Sequence, residues 1–168
     1  MKITQKYSKP FLFVAAIGII IALIFAGTVI DFVHFNLTYV SPQQAVIDSV
    51  GENECVAYYS HGIRDFTDYG VYSYSEPHVT DNAYFQNVTD NNELSQYLSH
   101  FESAVLNIPE DTDIYKYYDF DRSLIDSEDY FCIKDKSTEE ELYQPFYYYD
   151  IYFFDTQSNT LHYFHNDI

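Results

Sequence analysis

The sequence predicts an α+β fold class: a single N-terminal transmembrane helix followed by a small antiparallel-sheet domain packed by one main amphipathic helix. Three observations predict it. Residues 11–30 form an apolar run without a charge. Residues 91–106 place apolar side chains on one helical face. Most of the remaining segments are short runs of aromatic and β-branched residues, which are typical of strands.

The apolar run FLFVAAIGIIIALIFAGTVI covers residues 11–30. At about 1.5 Å per residue a helix of this length spans ~30 Å, the thickness of the hydrocarbon core of a bilayer. The run is longer than the core of a signal peptide, which is about 7–15 residues, and no convincing cleavage pattern follows it. We therefore expect an uncleaved transmembrane anchor.

The distribution of positive charge predicts the orientation of this anchor. Three lysines lie within residues 1–10, and the next basic residue is Arg64. Because positively charged flanks stay on the cytoplasmic side, residues 1–10 are expected to be a cytoplasmic tail and residues 31–168 an extracytoplasmic domain. The predicted location is the inner or plasma membrane, crossed once.

The charge of the chain is strongly negative. Asp and Glu number 26 and Lys and Arg number 8, so the formal net charge is −18. All the acidic residues follow residue 30, together with five of the basic ones, which leaves the outer domain at −21. Because phosphate recognition needs a basic face, we expect no nucleic-acid binding. Such a domain would instead attract a basic protein partner.

The two cysteines predict a disulfide. Cys55 and Cys132 both lie in the predicted extracytoplasmic part of the chain, an oxidising environment in which paired cysteines form bridges. A bridge between them would close a loop of roughly 77 residues, for which the loop-entropy model gives about 4 kcal/mol of stabilisation. The alternative is two buried free thiols.

Several elements follow from local patterns in the outer domain. Ser41 and Pro42 predict the start of a short helix, and Gly51 predicts its end. A second helix begins at the capping box 90–93 and carries its apolar face to residue 106. The predicted strands are residues 54–60, 70–75, 83–88, 113–120, 130–134, 146–154 and 160–165, the last two joined as a hairpin.

Motifs for catalysis or metal binding are weak. The stretch that begins at Asp119 places oxygens of Asp121 and Ser123 at calcium-loop positions, but Leu124 and Tyr130 stand where glycine and glutamate are required. The histidines lack the spacing of metal ligands, and no nucleophile elbow or glycine-rich phosphate loop is present in the sequence. We expect no enzyme activity, no metal and no cofactor, although an enzyme with a diffuse acidic site remains a third interpretation.

The tyrosines are the feature most relevant to binding. In FYYYDIYFF, residues 146–154, both strand faces are aromatic, with one acidic residue. This pattern has two interpretations: a central strand covered on both sides, or a strand with one exposed Tyr/Asp recognition face. The candidate partner-binding residues are Tyr148, Asp150 and Tyr152 in this strand, and Tyr117, Asp119 and Asp121.

These observations predict a membrane-anchored extracytoplasmic protein-binding module, of the inhibitor or immunity type, for a basic partner. The alternative is an accessory or structural subunit of an envelope membrane assembly. In that alternative Ala15, Ala16 and Gly18 would allow close approach of a second membrane helix. The sequence leaves a small-molecule ligand open.

Overall fold

A computed structural model describes residues 24–25, 40–62, 66–89, 92–136 and 146–167. The chain divides into two compact units, residues 1–41 and residues 42–168. In the first unit the described residues are Ile24 and Phe25, which are helical, together with residues 40–41. The following description concerns the second unit.

The second unit is built on one six-stranded sheet in which every neighbouring pair is antiparallel. The strands are β1 (Asn53–His61), β2 (Phe66–Tyr74), β3 (Gln86–Asn87), β4 (Tyr130–Asp135), β5 (Tyr148–Asp155) and β6 (Thr160–Asp167). In space they follow the order β1-β2-β6-β5-β4-β3.

Strands β5 and β6 form a hairpin near the middle of the sheet. Their aromatic and β-branched residues suit a pleated surface that is buried on both sides. The turn is held by the Asp155 carboxylate, which accepts hydrogen bonds from the Gln157 backbone N–H at 2.8 Å and from the Ser158 hydroxyl at 2.7 Å. Asn159 takes the positive φ of 54° that the turn requires, and asparagine tolerates this conformation better than most residues.

In the described part of the second unit three α-helices accompany the sheet: α1 (Pro42–Ser49), α2 (Asn92–Leu106) and α3 (Asp113–Tyr117). The apolar residues of α2 recur with the period of an α-helix. They form a buried stripe of Leu94, Leu98, Phe101 and Val105. Leu106 at its end is 71% exposed.

The sheet has an apolar cluster on each face. On one face α2, α3 and the segment after α3 cover a cluster that includes Tyr69, Ile151 and Phe164. On the other face α1 covers a cluster that includes Tyr152 and Leu161. Alternate residues of β5 enter the two clusters, so this strand is buried on both sides.

The predicted fold class is wrong. The described chain is a six-stranded antiparallel sheet with few helices, not the predicted α+β domain. Among the residues that the structure describes, no helix is long and apolar enough to cross a membrane. The predicted span, residues 11–30, lies outside the described residues except for Ile24 and Phe25. The strand-forming segments pair edge to edge into one sheet, which therefore dominates the architecture.

The predicted strand at 113–120 is also wrong, because its first five residues form helix α3. The segment is short, and its apolar residues fit a helical as well as an alternating period. Ile114 and Tyr118 are four positions apart, and both contribute to the cluster beneath α2. Asp113 in the first turn also favours the helix, through the positive end of its dipole.

The predicted disulfide is not formed. Cys55 and Cys132 both lie in the described part of the chain, and both are free thiols. Cys55 is in β1 and Cys132 in β4, with β2, β6 and β5 between these two strands. At about 4.8 Å per strand the two positions are ~19 Å apart along the sheet, whereas a disulfide needs Cα atoms within about 7 Å.

Candidate functional site

The six candidate partner-binding residues fall into two groups. Tyr148, Asp150 and Tyr152 lie in β5, and the latter two point to the face covered by α1. Tyr117, Asp119 and Asp121 lie at the end of α3 and just after it, in a segment that packs on the opposite face. The structure therefore does not bring the two groups together.

Asp150 is at the centre of a buried polar network. Only 1% of it is exposed. Its carboxylate accepts hydrogen bonds from Lys136 Nζ at 2.5 Å and His165 Nδ1 at 2.7 Å. The hydroxyls of Tyr163 and Tyr152 donate to it at 3.2 and 3.4 Å. A buried carboxylate is tolerated only with partners of this kind.

The network keeps Asp150 ionised. Burial alone would raise the pKa of this carboxyl, but the hydrogen bonds from His165 and Lys136 outweigh burial and hold the pKa below its usual value. The same burial raises the pKa of the Tyr152 and Tyr163 hydroxyls, so these groups stay neutral donors.

Strand register extends the network across the sheet. His165 of β6 lies directly opposite Asp150 on one side and Asp68 of β2 on the other. Asp68 accepts a hydrogen bond from the Tyr58 hydroxyl at 2.9 Å. Two carboxylates therefore flank one imidazole in the row of residues that crosses β2, β6 and β5.

The burial of these residues decides between the two interpretations of the aromatic strand at residues 146–154. Asp150 and Tyr152 are buried, so they offer no contact surface to a protein partner. Tyr148 is partly buried, and the ammonium of Lys136 lies 4.8 Å from the centroid of its ring. The interpretation of β5 as a central strand covered on both sides is the one that the structure supports.

The second group is exposed. Tyr117 is 53% exposed, and its ring stacks on that of Tyr59 in β1 with centroids 5.4 Å apart. Asp119 and Asp121 are also exposed. We call the exposed acidic residues of this segment, together with Tyr117, the acidic surface: Glu110, Asp111, Asp113, Tyr117, Asp119 and Asp121.

The backbone under the acidic surface is held by packing and hydrogen bonds. Ile114 is fully buried beneath it. The Arg122 guanidinium pairs with Glu102 of α2, Nε to Oε1 at 2.7 Å and Nη2 to Oε2 at 2.9 Å. Asp119 accepts a hydrogen bond from the Tyr69 hydroxyl at 3.3 Å. The segment is thereby joined to both α2 and the sheet.

Asp121 caps the short 3₁₀ turn Arg122–Leu124. Its Oδ1 accepts a hydrogen bond from the Ser123 backbone N–H at 2.9 Å. That hydrogen bond lowers the pKa of the Asp121 carboxyl, so the group carries its negative charge at neutral pH.

Sequence reasoning missed half of the acidic surface. Glu110, Asp111 and Asp113 lie where the sequence indicated only the end of a helix and the start of a strand. A count of acidic residues in a sliding window would have found them. The stacking of Tyr59 on Tyr117 had no local signal, because the two residues are distant in the sequence.

The segment that resembles a calcium loop has another role in the fold. Its last acidic residue, Asp129, is fully buried. The Asp129 carboxylate accepts hydrogen bonds from the backbone N–H groups of Asp126 and Thr156, both at 2.9 Å. Within the described ranges no group of three or more His, Cys, Asp or Glu side chains is arranged to hold a metal ion.

Comparison with known proteins adds no functional information. No family model matches this sequence, and no curated protein or solved structure is significantly similar to it.

Proposed function

We propose that this chain is a protein-binding module, of the inhibitor or immunity type, whose acidic surface binds a basic protein. The observation that carries the proposal is the exposure of Tyr117 among carboxylates on a well-anchored segment. An extracytoplasmic location remains the prediction of the charge pattern.

Charge supports this assignment. The acidic surface contains five exposed carboxylates within residues 110–121, and Lys116 is the basic residue among them. The Lys116 ammonium donates to the backbone carbonyl of Asp111 at 2.6 Å. The next cation, Arg122, is occupied by Glu102. The field at this surface is therefore negative and would accelerate encounter with a basic partner.

The aromatic residue supplies what charge alone does not. Tyrosine is enriched among the residues that dominate binding energy, because it offers a large contact area with few rotatable bonds. The stack on Tyr59 restricts the ring of Tyr117 before any partner arrives. Since the side chain is already ordered, less conformational entropy is lost on binding.

The test is affinity capture with the full-length chain, comparing wild type with two variants. Tyr117→Ala removes the anchor, and the double variant Asp119→Asn with Asp121→Asn removes two charges while keeping the shape and the cap. We expect each variant to bind the basic protein that wild type captures at least about tenfold more weakly. A tenfold change in affinity corresponds to ~1.4 kcal/mol of binding free energy.

The matched control is the double variant Glu52→Gln with Glu54→Gln, which removes the same charge from exposed positions around the start of β1. It should bind the captured protein as wild type does. Equal loss in both double variants would show attraction to net charge alone, and capture that is indifferent to Tyr117 would contradict the proposal.

A further inference from the structure

A small cavity lies on the other face of the sheet, away from the acidic surface. Its volume is about 290 Å³, at the lower edge of the range for small-molecule sites. Pro42, Ala45 and Val46 of the first turns of α1 form one wall, and the exposed ring of Tyr84 adds an aromatic surface.

Basic residues are concentrated at this cavity. Only five Lys or Arg residues follow residue 30 in the sequence, and two of them, Lys134 and Lys136, line it. Two acidic residues also line it, Asp150 and Asp135. The carboxylate of Asp135 accepts a hydrogen bond from the Tyr97 hydroxyl of α2 at 2.8 Å.

The two lysines differ in how their charge is balanced. Lys136 pairs with Asp150, whose remaining contacts go to His165 and two tyrosines. Lys134 lies opposite Asp150 in the register of β4 and β5. Its ammonium, however, lies over the ring of Tyr84, 4.8 Å from the centroid, and makes no ion pair among the described residues.

An ammonium without an ion-pair partner beside apolar walls favours one kind of ligand. A single negative charge would complement Lys134, and an apolar or aromatic body would fill the space between α1 and the ring of Tyr84. The first turn of α1 adds the positive end of its dipole on the same side. A doubly charged phosphate fits less well, because the Asp150 carboxylate is close by and the walls are mainly apolar.

We infer that this cavity is a binding site for a small organic carboxylate with an apolar body, and that Lys134 binds the carboxylate. The site uses residues on the face opposite the acidic surface, so it is independent of the proposed protein-binding function.

The test is calorimetric titration of the full-length chain with phenylacetate, and with phenylacetamide as the neutral probe of the same shape. Phenylacetate should bind at least about tenfold more tightly than phenylacetamide, the ratio that corresponds to ~1.4 kcal/mol. Lys134→Met should abolish that difference, whereas Lys116→Met, which removes the same charge from exposed α3, should preserve it.

A second variant guards against misfolding of Lys134→Met. Ala45→Leu narrows the cavity without changing a charge, and it should weaken phenylacetate binding while the circular dichroism spectrum stays that of wild type. Absence of phenylacetate binding up to about 10 mM, a range that covers very weak ligands, would overturn the inference. Equal affinity for the two probes, or wild-type affinity in Lys134→Met, would overturn it as well.

Discussion

Asp150 and His165 face each other across the central hairpin, and Oδ1 of the carboxylate lies 2.7 Å from Nδ1 of the imidazole. Lys136 contacts the other carboxylate oxygen. One buried anion therefore has two potential cations as partners, in a chain whose charge is otherwise mostly negative. The stability of the sheet should depend on this network, and not on the exposed carboxylates.

Asp150→Asn should destabilise the fold strongly. The variant leaves Lys136 and His165 without their carboxylate in a mostly buried location, and breaking a buried pair in this way costs about 3 kcal/mol or more. Urea unfolding at neutral pH measures the change. Glu110→Gln, at an exposed position, is the control and should alter the unfolding free energy by less than about 0.5 kcal/mol. Equal effects of the two variants would contradict the central role of Asp150.

Stability should fall on acidification below about pH 6.5, with His162 as one cause. Burial lowers the pKa of this residue to about 4, although Asp155 and Asp119 oppose the shift. The unfolded chain therefore binds a proton that the folded chain resists. Protonation of His162 therefore leaves the free energy of unfolding unchanged above pH 6.5. As the pH falls towards 4, it lowers that free energy by about 3 kcal/mol for a shift of this size.

Unfolding free energies measured between pH 4 and 7 test this assignment. His162→Phe should flatten the dependence in that interval, whereas His78→Gln at an exposed position should leave it unchanged. The carboxyl of Asp150 acts at lower pH, because its depressed pKa means that its contribution disappears only as the pH falls through that folded-state value. An unchanged slope in His162→Phe would show that other groups cause the acid sensitivity.

The two cysteines should react differently with a maleimide. Cys55 is exposed, whereas Cys132 is 3% exposed and burial raises its pKa to about 11. Because the thiolate is the reactive form, native protein should add one label, at Cys55, and denatured protein two. Mass spectrometry of the labelled peptides gives the sites. Reductant should leave the melting temperature unchanged, and a mass two hydrogens lower without reductant would reveal a bridge.

Two leucines of α2 provide a matched test of the core. Leu98 is fully buried and Leu106 is 71% exposed. Leu98→Ala should cost about 2–5 kcal/mol through lost burial and the cavity that remains. Leu106→Ala should change stability by less than about 0.5 kcal/mol, because it loses little burial and alanine is a good helix former. Urea unfolding compares the two, and similar losses would mean that α2 does not pack as described.

Sequence patterns were reliable where the signal was local. The periodic apolar residues located α2, and the aromatic run located β5 within two residues at each end. Local patterns could not decide the segment that begins at Asp113, because five residues fit a helical and an alternating period equally well. In the structure the segment is a helix, with Ile114 buried in the cluster that α2 also covers.

The candidate site shows the same division. Tyr117, Asp119 and Asp121 were named from composition, and the structure leaves them exposed. Asp150 and Tyr152 were named on the same grounds, but neighbouring strands and α1 bury them. Alternation along a strand identifies its two faces, yet it does not show what covers each face.

By itself the sequence determined the charge of the chain, its concentration after residue 30, and the segments rich in strand-forming residues. Only the tertiary structure decided the strand order. That order places three strands between Cys55 and Cys132, and the assembled fold pairs Asp150 with Lys136 and His165 and leaves the ring of Tyr117 exposed on Tyr59. The physical reason is that pairing and register join residues distant in sequence, so their energies belong to the assembled sheet and not to any local segment.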